Sequence, residues 1–139
     1  MELRELGEFG LIDRIARAAR RRRGSRSVVL GIGDDAALFQ IGVGEQGVAS
    51  TDAFFEGVHF RLRSESPGTI GRRALAASLS DLAAMGARPL GCLLALAAPP
   101  RSSLRSLDTL LAGLIDEAAG HSCPLAGGNA GSGSSPSTT

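Results

Sequence analysis

Apolar residues recur at helical spacing in three stretches of the chain and gather into short runs elsewhere. Over residues 8–22, Leu11, Ile12, Ile15, Ala18 and Ala19 share one face, which predicts an amphipathic helix. It runs into Arg20-Arg21-Arg22-Arg23, cations that suit the negative end of a helix dipole. Ser66-Pro67 then reads as a helix start, with serine as N-cap and proline in the first helical position. The stretch continues through Ala74, Leu75, Leu79 and Leu82 to Met85, and Gly86 supplies the stop. A third helix, capped by Ser102 or Ser103 and stopped by Gly120, carries the stripe Leu104, Leu107, Leu111, Leu114, Ile115 and Ala118.

The remaining apolar runs are short and predict strands at 27–30, 36–41, 48–51, 90–97 and 123–126. Residues 42–47, with three glycines, are fit for a hairpin connection between the second and third. The run 90–97 is apolar at every position, as a strand covered on both faces or lying in an interface would be. This order of elements predicts an α+β domain with a mixed or antiparallel sheet and helices on one face. The domain is expected over residues 1–129. Residues 130–139 lack apolar periodicity and are expected to form a disordered Gly/Ser tail.

Composition narrows the function. The 139 residues are about one domain's worth of chain, with a net charge of +1 and 43% hydrophobic residues. No apolar run is long enough to span a membrane and the N-terminus is polar, which points to the cytoplasm. All 15 basic residues are arginine. Without lysine there is no Walker-type P-loop and no Schiff base, so any phosphate must meet arginine, backbone N–H groups or metal. With no Trp or Tyr and a charge near zero, nucleic-acid binding is not expected. Cys92 and Cys123 form no CxxC pair and read as buried free thiols.

Three acidic motifs remain. Gly31-Ile32-Gly33-Asp34-Asp35 sets adjacent carboxylates on a glycine turn, although an Asp-rich turn is also favoured by its own hydrogen bonds. Ser50-Thr51-Asp52 ends a predicted strand, and Asp81 lies inside an apolar helical stretch, where an unpartnered carboxylate would be costly. Hydroxyl and carboxylate oxygens together are hard ligands suited to Mg²⁺. Gly127-Gly128 after a short strand could admit a phosphate close to the backbone. The set fits metal-assisted phosphoryl transfer, and Asp35, Asp52 and Asp81 are expected to converge within roughly 10 Å of a common point.

These motifs, with Gly7-Glu8-Phe9-Gly10-Leu11-Ile12 and the pairing of Glu56-Gly57-Val58-His59-Phe60 with residues 79–87, resemble the thiamine-monophosphate kinase family over roughly residues 5–129. The wider superfamily includes aminoimidazole ribonucleotide synthetase. The resemblance implies the superfamily's α+β N-terminal domain and ATP-dependent phosphorylation of thiamine monophosphate to thiamine diphosphate. It further implies several Mg²⁺ ions held by Asp34, Asp35, Ser50, Thr51, Asp52, Asp81 and Asn129, with Gly128 and Asn129 at the nucleotide. His59 matches a substrate-contacting position, and a homodimer joined sheet to sheet is implied. The acceptor is an ionised phosphate oxygen, so no catalytic base is required.

Two departures stand out. Asn129 occupies a position where the family commonly has Asp, and the chain ends where the family has a final strand and a second, C-terminal domain. The chain is therefore expected to be a fragment, inactive alone. The competing readings are a non-catalytic dimerisation or nucleotide-binding module, and another phosphoryl-transfer enzyme of the superfamily.

Overall fold

The computed structural model describes residues 1–20 and 25–133. Three helices, α1 (Leu3–Arg20), α2 (Pro67–Ala84) and α3 (Leu104–Gly120), accompany four strands: β1 (Val28–Leu30), β2 (Leu38–Phe39), β3 (Cys92–Ala98) and β4 (Leu125–Ser132). The α+β class expected from the sequence is what the chain adopts, as one antiparallel and one parallel pair of strands. The predicted end of the first helix at residues 21–22, the rest of the arginine cluster and the last six residues lie outside the described residues.

The helices end where their capping residues stand. Ser66 accepts a hydrogen bond from the Thr69 N–H at 3.2 Å, and Pro67 opens α2. At the other end, Gly86 takes φ +63 and the Ala87 N–H returns to the Leu82 carbonyl at 2.9 Å. Helix α1 starts earlier than its periodicity suggests, because a break at Gly7 (φ +73) joins a first turn to the amphipathic run that follows. Ser103 is the N-cap of α3, yet its side chain makes no capping bond. The Leu104 N–H instead donates to the Met1 carbonyl at 3.3 Å.

Helices α2 and α3 cross with their backbones touching. A Cβ on Gly71 would lie 2.0 Å from the Leu110 carbonyl oxygen, and one on Gly113 would lie 2.0 Å from that of Gly68. Only glycine permits that approach. The core gathers Leu3, Leu11 and Ile15 of α1, Leu75 of α2, the α3 stripe, and Ala98, Leu125 and Ala130 of the strands. Arg14 of α1 makes a forked ion pair with Asp108 of α3, which ties the two helices outside this core.

Strands β3 and β4 run parallel, with α3 as the crossover that such a pair requires. Strand β3 is not covered on both sides, contrary to its uniform apolarity. Cys92, Leu94 and Leu96 turn to the core, whereas Ala95 and Ala97 are exposed and Leu93 is 61% exposed. Residues 130–132 are not a tail but the end of β4, paired with β3 through Ser132, and Ala130 is buried. Backbone pairing makes this strand, which is why small residues without a pattern can form it. Residues 48–51 form no strand, and β2 shrinks to two residues. The segment 40–66 is instead held by side chains and turns, such as the Glu45 carboxylate accepting the Gly42 N–H at 3.0 Å.

Candidate functional site

Asp81 is exposed, not buried among the apolar residues that flank it. Helical geometry puts Ser78 and Asp81, three residues apart, on one face of α2. The Ser50-Thr51-Asp52 segment lies along that face. The Ser50 hydroxyl donates to Asp81 Oδ2 at 2.6 Å, and the Ser78 hydroxyl donates to Asp52 Oδ2 at 2.9 Å. The two bonds cross-link segment and helix, so two carboxylates and two hydroxyls share one oxygen-rich patch. Thr51, between them in sequence, is exposed. Among the described residues, no three His, Cys, Asp or Glu side chains come together as a metal cage.

Among the described residues, Asp34 and Asp35 of the glycine turn do not join Asp52 and Asp81 in such a cluster. Asp34 Oδ1 accepts the Asp35 N–H at 2.9 Å, the self-capped arrangement that an Asp-rich turn favours, and both residues are exposed. Gly33 takes φ +123, open to glycine. This turn lies against β4. Ile32 lines a cavity of about 30 Å³ together with Gly127, Gly128 and Asn129, and Ile12, Ile15, Leu94 and Ala130 complete its wall. The Gly-Gly-Asn sequence is therefore inside a strand, not in a turn after one. Gly128 is required by the fold itself: at φ +143, a Cβ would lie 1.9 Å from the Leu94 carbonyl oxygen. Asn129 is exposed and pairs with Ala95.

His59 stands in a small aromatic loop. Its Nδ1 accepts the Phe55 N–H at 3.0 Å, and its ring stacks on Phe54 at 5.3 Å, with Phe60 on Phe54 at 6.1 Å. The loop is closed by the Gly57 N–H donating to the Phe60 carbonyl at 2.8 Å. Glu56 Oε1 accepts the Leu62 N–H at 3.4 Å. Arg73 of α2 reaches over it, 5.5 Å from the Phe54 ring centre, 3.3 Å from the His59 carbonyl oxygen, and paired with Glu65.

Neither Arg73 nor Ser78 is among the candidate residues of the sequence. Ser78 had a legible signal, its spacing of three from Asp81. Arg73 had none, since Arg72 beside it reads the same way.

The two cysteines meet where β3 starts beside the segment that leads into β4, with Cys92 Sγ 3.8 Å from the Cys123 carbonyl oxygen, and both are free thiols. Hydrogen bonding to Cys123 and burial push the Cys92 thiol up, so it stays protonated near neutral pH.

The model of the AIR synthase related protein, N-terminal domain, matches residues 33–139, well over half of the chain. The chain belongs to this family. Within it, the chain is similar to curated thiamine-monophosphate kinases. It is 39% identical over 127 residues to that of Mycobacterium tuberculosis (strain ATCC 25618 / H37Rv) and 43% identical over 128 residues to that of Synechococcus elongatus. These alignments cover 91% of this chain but 37% and 36% of the relatives. The chain thus spans little more than a third of the length of the proteins it matches. The crystal structure of thiamine-monophosphate kinase from Stenotrophomonas maltophilia K279a superposes with a TM-score of 0.66 at 41% identity, covering 88% of this chain and 37% of that one. The residues matched by the family model take in the Ser50–Asp52 patch, the His59 loop and the β3–β4 pair described above.

Proposed function

We propose that this chain is the N-terminal part of a kinase that transfers phosphate from ATP to thiamine monophosphate. The observation that carries the reading is the cross-linked patch on α2, where Asp52 and Asp81 are brought side by side by Ser78 and Ser50. Mg²⁺ is commonly held by one or two carboxylates, with water and substrate phosphates completing its shell. Two exposed carboxylates flanked by hydroxyls fit that demand without a third acid. When bound, the metal neutralises the charge that two anionic reactants bring together. Asp52 and Asp81 are the assigned holders, with Ser50 and Thr51 beside them. Asn129, beside Gly127-Gly128 in β4, and Asp34 and Asp35, in the turn whose Ile32 lines the cavity there, are assigned to a second group of ligands that would serve the nucleotide. His59 is assigned to thiamine monophosphate.

No side chain needs to act as a base, because the attacking phosphate oxygen is already ionised. The work left to the protein is holding charge and geometry. The similarity to whole kinases at 39% and 43% identity supports the same reaction. Self-association belongs to this reading as well. The exposed row Leu93, Ala95 and Ala97 offers a second copy an apolar face of small residues. A cytoplasmic location is part of the same proposal; no helix of the described residues is long and apolar enough to cross a membrane.

The test is formation of thiamine diphosphate from ATP and thiamine monophosphate, followed against Mg²⁺ concentration in the whole protein that carries this sequence. Asp81→Asn and Asp52→Asn should each raise the Mg²⁺ requirement and cut turnover by about a hundredfold or more, the scale of losing a charge contact at phosphoryl transfer. Unchanged Mg²⁺ dependence in both variants would remove the patch from the reaction. The second reading is a module that binds Mg·ATP or pairs with itself without turnover. Binding without product, even in the whole protein, would select it.

A further inference from the structure

The His59 loop is held by its own bonds and ring stacks, and one side chain from outside it adds two contacts while pairing with Glu65. Arg73 pairs with Glu65, which precedes α2, and donates to the His59 carbonyl oxygen at 3.3 Å. The same guanidinium lies over the Phe54 ring at 5.5 Å. Phe54 in turn is the ring on which both His59 and Phe60 stack. A planar fork can satisfy a carboxylate, a carbonyl and a ring face together, which a compact ammonium cannot. Inside the loop, the Phe55 N–H occupies His59 Nδ1. In the neutral ring this leaves the proton on Nε2, so Nε2–H is the group left to meet a ligand.

We infer that Arg73 is a positioning residue: it clamps residues 54–60 to α2 and fixes which nitrogen, and which direction, His59 offers to the substrate. This rests on the proposed thiamine monophosphate site. The loop is mostly exposed; its own backbone bonds run from the Gly57 N–H to the Phe60 carbonyl and from the Val58 and His59 N–H groups to the Phe55 carbonyl, and none of them reaches α2. Without Arg73 the ring stack loses its cationic cover and the His59 carbonyl loses its donor. The imidazole then samples orientations that the substrate must reselect, and affinity falls by that fraction. Because Arg73 is on α2 and Asp81 is two turns further along the same helix, the clamp also sets the distance between the loop and the acidic patch.

The experiment compares Arg73→Met, Arg73→Lys and the neighbouring Arg72→Met in the whole protein that carries this sequence. Amide exchange at Phe55 reports the bond to His59 Nδ1, and calorimetry reports thiamine monophosphate and Mg·ATP binding. Arg73→Met should speed Phe55 exchange about tenfold and weaken thiamine monophosphate about tenfold, as loss of a ring cover and a charged hydrogen bond predicts. Mg·ATP affinity and melting temperature should hold. Arg73→Lys should recover part of both losses, and Arg72→Met should change neither. Unchanged Phe55 exchange in Arg73→Met overturns the clamp. Faster exchange with unaltered thiamine monophosphate affinity overturns the positioning role. If the unaltered protein fails to bind thiamine monophosphate, the functional reading falls, and exchange alone still decides for or against the clamp.

Discussion

Adjacent glycines in β4 have different reasons to be there. At Gly128 a Cβ would overlap the Leu94 carbonyl, and φ +143 excludes other residues in any case. At Gly127 a Cβ would make ordinary contacts, 3.4 Å to Leu93 and 3.8 Å to Ala37. Gly128→Ala should therefore cost more than about 2 kcal/mol, the upper range of overpacking against rigid backbone. Gly127→Ala should leave stability within about 1 kcal/mol of the parent. Thermal melts would separate the two, and equal losses would contradict the packing described. A fall in nucleotide affinity confined to Gly127→Ala would then report ligand approach and nothing of the fold. Residue chemistry made Asp52 and Asp81 visible in the sequence, but it misjudged the surroundings of Asp81. Apolar neighbours at helical spacing do not bury the residue between them when it faces the other way.

Helices α2 and α3 were legible at nearly residue accuracy because caps and periodicity are local, whereas α1 begins at Leu3, ahead of the stretch 8–22 that its periodicity marked. Ser66, Pro67, Gly86 and Ser103 stand at or beside the ends they mark. Strands depend on partners, and there the reading failed. The run 48–51 forms no ladder, and its Ser50 hydroxyl binds Asp81 of α2 instead, while the patternless 130–132 pairs with β3. Crossing geometry was likewise out of reach, since Gly68, Gly71 and Gly113 look like breaks in helices when they are its contact surface. Gly71→Ala should destabilise by at least about 2 kcal/mol, because both backbones at the crossing must separate. Gly120→Ala, with open space around its Cβ, should be neutral or stabilise by up to about 1 kcal/mol. Chemical denaturation of the pair would check the crossing. A tolerated Gly71→Ala would mean that α2 and α3 are further apart than described.

For the molecule as a whole, the open face of the β3–β4 pair is a site of self-association in the proposed reading. Leu93→Glu should convert a sedimenting dimer to a monomer without unfolding it, because Leu93 is 61% exposed in the single chain. An unaltered dimer would place the contact elsewhere. The acidic patch, the glycine turn and the His59 loop are all exposed as well, and the cavity beside the turn, about 30 Å³, has room for water but not for a nucleotide. Phosphoryl transfer draws much of its rate from holding donor and acceptor in line, worth several orders of magnitude. Nothing among the described residues encloses two phosphates at once, and the kinases that this chain resembles are about two and a half times its length. The 139-residue chain alone is therefore expected to bind Mg·ATP weakly and to form no thiamine diphosphate above background. Joined to the remaining length of the Synechococcus elongatus relative, it should gain Mg²⁺-dependent turnover. Assaying the two side by side is decisive: comparable turnover by the short chain would mean that its exposed oxygens and loop already form a complete site.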